Sequence, residues 1–437
     1  MIYPTARAVG LAALGAPVAL LLGVAAPKLW LIGAAWIAVC AAALLLDAVL
    51  AADPRKAELD LSSPVSVPVG APAGLRARAA FAGANRPPVV ELALETCERL
   101  TVQPRRATAR AVDGVAAAGF AAVAPRRGRA VLRRLQARWR GPFGLVWRQA
   151  ARTLDRDLLV TLDVGAVKDE ALALFSRDVS SGLRLQLDLG GGAEFHALTE
   201  FRSGMDRRTI DWKQSARHQT LLAKEFRAER NHHVIAAIDT GRLMGQPLGG
   251  LPRLDHALRA SLLLAYAGLR MGDRMGVFGF GARPNVSAPA VAGASAFAGL
   301  QALITRIDYS TDETNYTLGL TQLASQLRRR SLIVIFTDFA DTTSAELMLE
   351  NVGRLLRQHL VLFVLMRDEE LEDLERKAPQ TPEDVSRAVV AGAMLREREL
   401  VVGRLRRMGA QIVEGPAGRI GPALVARYLD LKQRDLL

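Results

Sequence analysis

Two long stretches without a charged residue lie side by side near the start of the chain, and they narrow the possible folds more than any other feature. Residues 8–26 and 29–46 contain no Asp, Glu, Lys or Arg, and only Pro27 and Lys28 separate them. A helix over either run would span roughly 27–28 Å at about 1.5 Å per residue, close to the hydrocarbon core of a bilayer. So short a connection predicts a transmembrane helical hairpin within residues 1–56. The small residues at 23–27 also suit a signal-peptide cleavage site. Against that, Arg7 is the one basic residue ahead of the first run, and a second full-length run follows at once. Arg7 precedes the first helix and Arg55 and Lys56 follow the second, against Lys28 alone in the turn. Basic flanks stay inside, so both ends are expected in the cytoplasm, with the hairpin in the inner (cytoplasmic) membrane.

The remainder of the 437 residues is enough for two or three domains, and half of all residues are apolar. Residues 57–170 break into short apolar or alternating runs, such as 66–69, 89–94 and 158–164, divided by Pro, Gly and Arg. That pattern predicts an antiparallel, β-sandwich-like domain. Much of the net charge of +13 sits here, with thirteen Arg between Arg99 and Arg152 and Asp113 as the sole acid. Such a balance suits nucleic acid, an acidic protein or anionic lipid, where each basic group near the surface is worth about 1 kcal/mol. The Arg-rich stretch lacks an aromatic stacking series and a reader motif, which leaves nucleic acid with charge as its only support. Cys40 lies in an apolar run and Cys97 in a soluble stretch, so no disulfide framework is expected.

From residue 229 to 437 apolar strand patterns alternate with helical ones. Strands are expected at 232–239, 275–280, 331–338, 360–366 and 410–414, and helices at 254–270, 295–306, 316–328, 344–358, 382–408 and 420–435. Strands separated by helices predict a doubly wound α/β domain around a parallel sheet. Sites in such sheets lie at the carboxyl ends of strands, where Asp239 and Asp338 close two apolar runs.

Residues 171–228 are expected to link the two soluble domains, and they carry the densest mixture of chemistries in the chain. Four arginines, a lysine, several acids and Trp212 fall within 199–217, TEFRSGMDRRTIDWKQSAR. This segment resembles the signature of the bacterial domain-of-unknown-function-58 family, roughly R-x-Y-x-x-G-D-D-x-R-x-I-x-W-x-x-x-A-R. Glu200, Gly204, Asp206, Arg208, Ile210, Trp212, Lys213, Ala216 and Arg217 fall on the pattern; Phe201 takes the position of its usual Tyr, and Met205 and Arg207 stand where Asp and Pro are usual. An Arg-Arg-Gly at 126–128 and a Pro-Phe-Gly turn at 142–144 are similar to further elements of that family. Ion pairs among Glu200, Arg202, Asp206, Arg208, Lys213 and Arg217 could lock the soluble domains together. In that reading Trp212 is a buried apolar anchor; in the alternative the segment binds a partner.

The strand-end acids are similar in order to those of a von Willebrand factor A domain. There the first strand ends in Asp-x-Ser-x-Ser, and a later Thr and a further Asp complete a divalent-metal site. Here Asp239, Thr314 and Asp338 match, while Gly241 and Leu243 stand at the serine positions and Arg242 brings a positive charge. The resemblance thus implies a degenerate site holding Mg²⁺ weakly or not at all, with no resident cofactor expected. A P-loop, His-Glu-x-x-His, Cys-x-x-Cys and Gly-x-Ser-x-Gly are all missing from the sequence. The expected role is a non-enzymatic, membrane-anchored interaction adaptor or chaperone-like helper in assembling or maturing protein complexes. The family resemblance adds a MoxR-type AAA+ ATPase as the implied partner. The alternatives are a metal-dependent enzyme using the strand-end carboxylates and nucleic-acid binding by the Arg-rich domain.

Overall fold

The computed structural model describes all residues except Met1, 26–29, 84–85, 181–193, 203–204, Asp206, Gln219, 228–231 and 340–341. The chain divides into two compact units, Met1–Leu162 and Asp163–Leu437. The sequence expectation placed domain limits at 56, 170 and 228.

In the first unit, helices Ala6–Ala25 and Trp30–Leu50 lie against each other. The Trp36 indole N–H donates to the Leu11 carbonyl at 3.2 Å. Gly15 leaves room for that ring, since a Cβ there would stand 2.0 Å from it. Among the described residues one stretch, Leu31–Lys56, is long and apolar enough to cross a membrane, with a mean hydropathy of 2.3. The expected Pro27–Lys28 turn lies outside the described residues.

Two mainly antiparallel sheets follow. One orders Ile2–Pro4, Val146–Thr161, Gly128–Arg140, Val89–Thr96 and Arg106–Arg110, with the short Ser66–Pro68 strand parallel to Val146–Thr161. The other orders Ala57–Ser62, Ala73–Phe81, Val115–Val123 and Thr101–Gln103. Strand Ala73–Phe81 alternates strictly: Leu75, Ala77, Ala79 and Phe81 are buried and the Arg between them are exposed. Period-two patterning buries one face of a sheet, and here Phe81 meets Trp139 of the other sheet edge-on at 4.7 Å.

The second unit opens with helix Val164–Ser180, whose start lies inside the range expected to be β-rich. A small antiparallel pair, Glu194–Glu200 with Leu222–Arg227, brackets the short helix Trp212–His218. The main sheet has six strands in the order Val286–Val291, Arg274–Phe280, His233–Asp239, Ser331–Phe336, Leu360–Arg367 and Gln411–Pro416. Every pairing is parallel except that of the Val286–Val291 edge. That edge strand and helix Glu369–Arg376 escape the sequence reading, the first because its apolar residues are only half-buried and the second because it is mostly acidic. Helices Tyr316–Gln326, Thr342–Leu356 and the end of Pro382–Arg407 contribute to one core with Phe278, Phe280, Ile333, Ile335 and Phe363. Helix Arg253–Arg270 is buried over most of its length and packs against Ile420–Gln433.

The C-terminal helix is fixed through a buried acid. Asp273 accepts hydrogen bonds from the Tyr428 hydroxyl, from the Lys432 ammonium at 2.5 Å and from the His232 N–H at 3.2 Å. Burial, reinforced by the Asp273 charge, pushes the Tyr428 hydroxyl far above its ordinary pKa, so it stays a donor. Asp273→Ala leaves a mostly buried ammonium without its partner, and breaking such a pair costs about 3–5 kcal/mol. Chemical denaturation of the detergent-solubilised chain is expected to show that loss, and Tyr428→Phe a smaller one.

Candidate functional site

Chain order reverses across the main sheet beside strand His233–Asp239: the next strand, Arg274–Phe280, lies on one side, and Ser331–Phe336 returns to the other. Crevices in open α/β sheets form at such points, outside the carboxyl ends of the strands. Asp239, Thr314 and Asp338 belong to this edge, as the sequence suggests, but each is already committed.

The Asp239 carboxylate is 1 % exposed. One oxygen accepts from the Thr314 hydroxyl at 2.6 Å and the Gly241 N–H at 2.8 Å. The other accepts from Thr337 at 2.6 Å and Tyr316 at 3.2 Å. Burial raises its pKa, and the four donors pull against that rise. The same crowding explains a departure from the von Willebrand factor A pattern. A Cβ on Gly241 would stand 1.9 Å from the Thr314 hydroxyl, so a serine has no room there. The hydroxyl that the first strand motif lacks at residue 241 is supplied from across the site by Thr337, which sequence reasoning missed.

Asp338 is held differently. Its Oδ1 accepts from Arg398 Nη1 at 2.7 Å and from the Phe339 N–H at 3.0 Å. Its Oδ2 lies 2.9 Å from Arg253 Nε, as an ion pair whose N–H is not aligned as a hydrogen bond. Arg253 also donates to Asp368 at 2.5 Å, and Arg398 to the Met366 carbonyl at 2.7 Å. All four charged side chains are at least 87 % buried. Arg242, the residue expected to neutralise the acids, turns instead to Glu313 at 3.1 Å on the exposed surface. Two guanidinium groups from other segments take that role. Arg253 opens an apolar helix and Arg398 lies within a charged one, so neither stands out in the sequence.

A divalent cation needs carboxylate oxygens free to ligate it. Here every carboxylate oxygen at the strand ends faces a donor, and two fixed positive charges adjoin Asp338. Among the described residues no three His, Cys, Asp or Glu side chains gather as a metal would require. The residues present do not fit Mg²⁺.

The signature segment gives a different surface. Asp211 caps helix Trp212–His218, accepting from the Lys213 and Gln214 N–H groups at 3.1 Å, and pairs with Lys224 at 3.4 Å. These hydrogen bonds, the one from Gln214 first, hold its carboxyl below the ordinary range. Ser215 is the buried residue of the helix: its hydroxyl donates to the Asp211 carbonyl at 2.7 Å and accepts from the Leu222 N–H at 2.9 Å. That contact decides which face turns inward. Trp212 and Ala216, and Lys213 and Arg217, are four residues apart and share the exposed face. Trp212 is 69 % exposed, which corrects the expectation of a buried anchor. Glu200 ends the adjoining strand, and the Asp211–Lys224 ion pair lies within this unit, between two residues outside the set expected to lock the domains. Gly204, Asp206 and the Arg208 side chain lie outside the described residues.

Residues 198–391 match the model of the family described as "Protein of unknown function DUF58", so the resemblance extends well beyond the signature. No curated protein matches the chain. Solved structures similar to part of it include the conserved hypothetical protein BatB from Bacteroides thetaiotaomicron, at 13 % identity over 45 % of this chain and 98 % of that one, with a TM-score of 0.30. An aerotolerance-related membrane protein from Bacteroides fragilis NCTC 9343 shares 15 % over 46 % of this chain and 99 % of its own, TM-score 0.30. The SpRpn10 VWA domain shares 11 % over 45 % and 94 %, TM-score 0.28.

Calorimetry of the solubilised chain with Mg²⁺ or Mn²⁺ is expected to show no stoichiometric isotherm. An isotherm abolished by Asp239→Ala would contradict this reading of the donor set.

Proposed function

We propose that this chain is a membrane-anchored adaptor that recruits a protein partner through the exposed face of its signature helix, Trp212, Lys213, Ala216 and Arg217. The observation that carries the reading is Trp212, a large aromatic held 69 % exposed on a capped and pinned helix. Trp and Arg are enriched in binding hot spots, and Trp offers a large contact area at low conformational-entropy cost. Lys213 and Arg217 beside the ring favour an acidic surface on the partner. The strand-end acids are satisfied internally, so they leave this reading non-enzymatic and independent of a bridging cation. By the family resemblance the partner is a MoxR-type AAA+ ATPase, and the work is assembly or maturation of protein complexes.

The anchor in this proposal is a two-helix hairpin of the inner membrane with both soluble parts in the cytoplasm. Thr5, just ahead of the first helix, donates to the Gly144 carbonyl at 2.9 Å, and Asp47, near the end of the second, accepts from the Leu145 N–H at 2.8 Å. One turn therefore grips the start of one helix and the end of the other, which supports a hairpin whose ends emerge on the same side.

Trp212→Ala is expected to leave the melting temperature unchanged, because exposed substitutions usually stay within about 0.5 kcal/mol. It should weaken binding to the purified ATPase by about 2 kcal/mol or more, roughly 30-fold. Wild-type affinity in that variant would remove the helix face from the proposal. Reporter fusions at residue 60 and at the C-terminus should both report a cytoplasmic location; an external signal from either overturns the hairpin.

A further inference from the structure

We infer that the turn Gly141–Val146 lies in the headgroup layer of the membrane, with Phe143 inserted among the lipids beside the emerging helices. The inference rests on the reading that helix Trp30–Leu50 crosses the bilayer.

The position of the turn follows from Asp47, a fully buried acid about one helical turn before Leu50. Its carboxylate accepts the backbone N–H groups of Phe143, Leu145 and Val146, each at 2.8 Å. Three charge-assisted hydrogen bonds to main chain fix height as well as contact. Gly141 is required by the same clamp, since a Cβ there would stand 2.3 Å from the Asp47 carboxylate. Further bonds tie the turn to both helices. The Thr5 N–H donates to the Leu145 carbonyl at 2.8 Å, and the Arg148 guanidinium donates to the Ala48 carbonyl. The turn is thus held at the level of the last helical turn, where an apolar span meets the headgroups.

What it presents there suits that layer. Phe143 is 57 % exposed at the tip although its own N–H is fixed to a buried acid. Tyr3 and Ile2, from the strand leading into the first helix, are 47 % and 53 % exposed. Arg7 lies over the turn, its guanidinium 3.8 Å from where a Gly144 Cβ would stand. Exposed Arg140 lays its guanidinium 4.7 Å from the centre of the Trp147 ring. Aromatic rings with arginines at a helix exit are the composition of a membrane interface, where apolar bodies enter the lipid and cations meet phosphates.

Spin labelling of the full chain in nanodiscs of phosphatidylcholine and phosphatidylglycerol tests this. Nitroxides are placed by Phe143→Cys, Val39→Cys and Val65→Cys in a Cys40→Ala, Cys97→Ser background. Val39 lies on the apolar helix, 62 % exposed. Val65 is 90 % exposed, and its carbonyl accepts from Leu159 at the far end of the strand that starts at Val146. Strand rise puts that end about 40 Å away. The ratio of collisions with oxygen to those with a water-soluble nickel chelate should be several-fold higher at 143 than at 65 and approach that at 39. A ratio at 143 equal to that at 65, with 39 still in lipid, overturns the inference alone. A water-like ratio at 39 overturns the membrane reading beneath it. Asp47→Ala, checked for intact secondary structure by circular dichroism, should move the 143 label toward the value at 65; an unchanged ratio would overturn the clamp.

Discussion

The carboxyl edge of the main sheet is organised by the cost of taking two carboxylates out of water. An isolated buried charge is prohibitive, so each acid must be surrounded by donors or cations. Asp239 is satisfied by neutral donors, chiefly the hydroxyls of Thr314, Thr337 and Tyr316. Asp338 is satisfied by the guanidinium groups of Arg253 and Arg398. These two solutions determine much else: the glycine at 241, the approach of the Thr314 loop, and the placing of a distant helix over the edge.

The same solutions set this edge apart from one built around a metal ion. In a site that binds a partner through a bridging ion, carboxylates keep oxygens open for metal. Arginine here delivers the positive charge from within the chain, permanently and with its own geometry. The signature helix, by contrast, turns its aromatic and basic face outward. The membrane-proximal unit shows a comparable economy in Asp47, which spends a buried carboxylate on three backbone N–H groups of one turn.

Much of the α/β unit can be read from the sequence because its central strands are buried on both faces and helices such as Arg253–Arg270 and Thr342–Leu356 have amphipathic spacing. The runs ending at Asp239 and Asp338 showed both strands and both acids directly. Edge and surface elements are less legible: Val286–Val291 leaves alternate residues exposed, and Glu369–Arg376 has two leucines among five acids and an arginine. The partners of the acids were hidden for another reason. Arg253 and Arg398 lie 85 and 60 residues from Asp338 in a chain rich in arginine, so only the fold distinguishes them. For Trp212 the sequence leaves both a buried anchor and an exposed binding residue open, because aromatic size favours burial on average, whereas a hydroxyl three residues on decides which face of a seven-residue helix turns inward.

Asp338 joins three parts of the chain made at different times. Arg253 precedes it, whereas Arg398 arrives on a helix that follows the next strand, Leu360–Arg367. During synthesis the acid therefore emerges with one of its two cations and waits about 60 residues for the other. A chain cut short before Arg398 keeps five of the six strands of the sheet, yet leaves a carboxylate at its centre without one of its two cations. The order of synthesis is in this way written into the electrostatics of the edge: it closes only once the helix carrying Arg398 has been made.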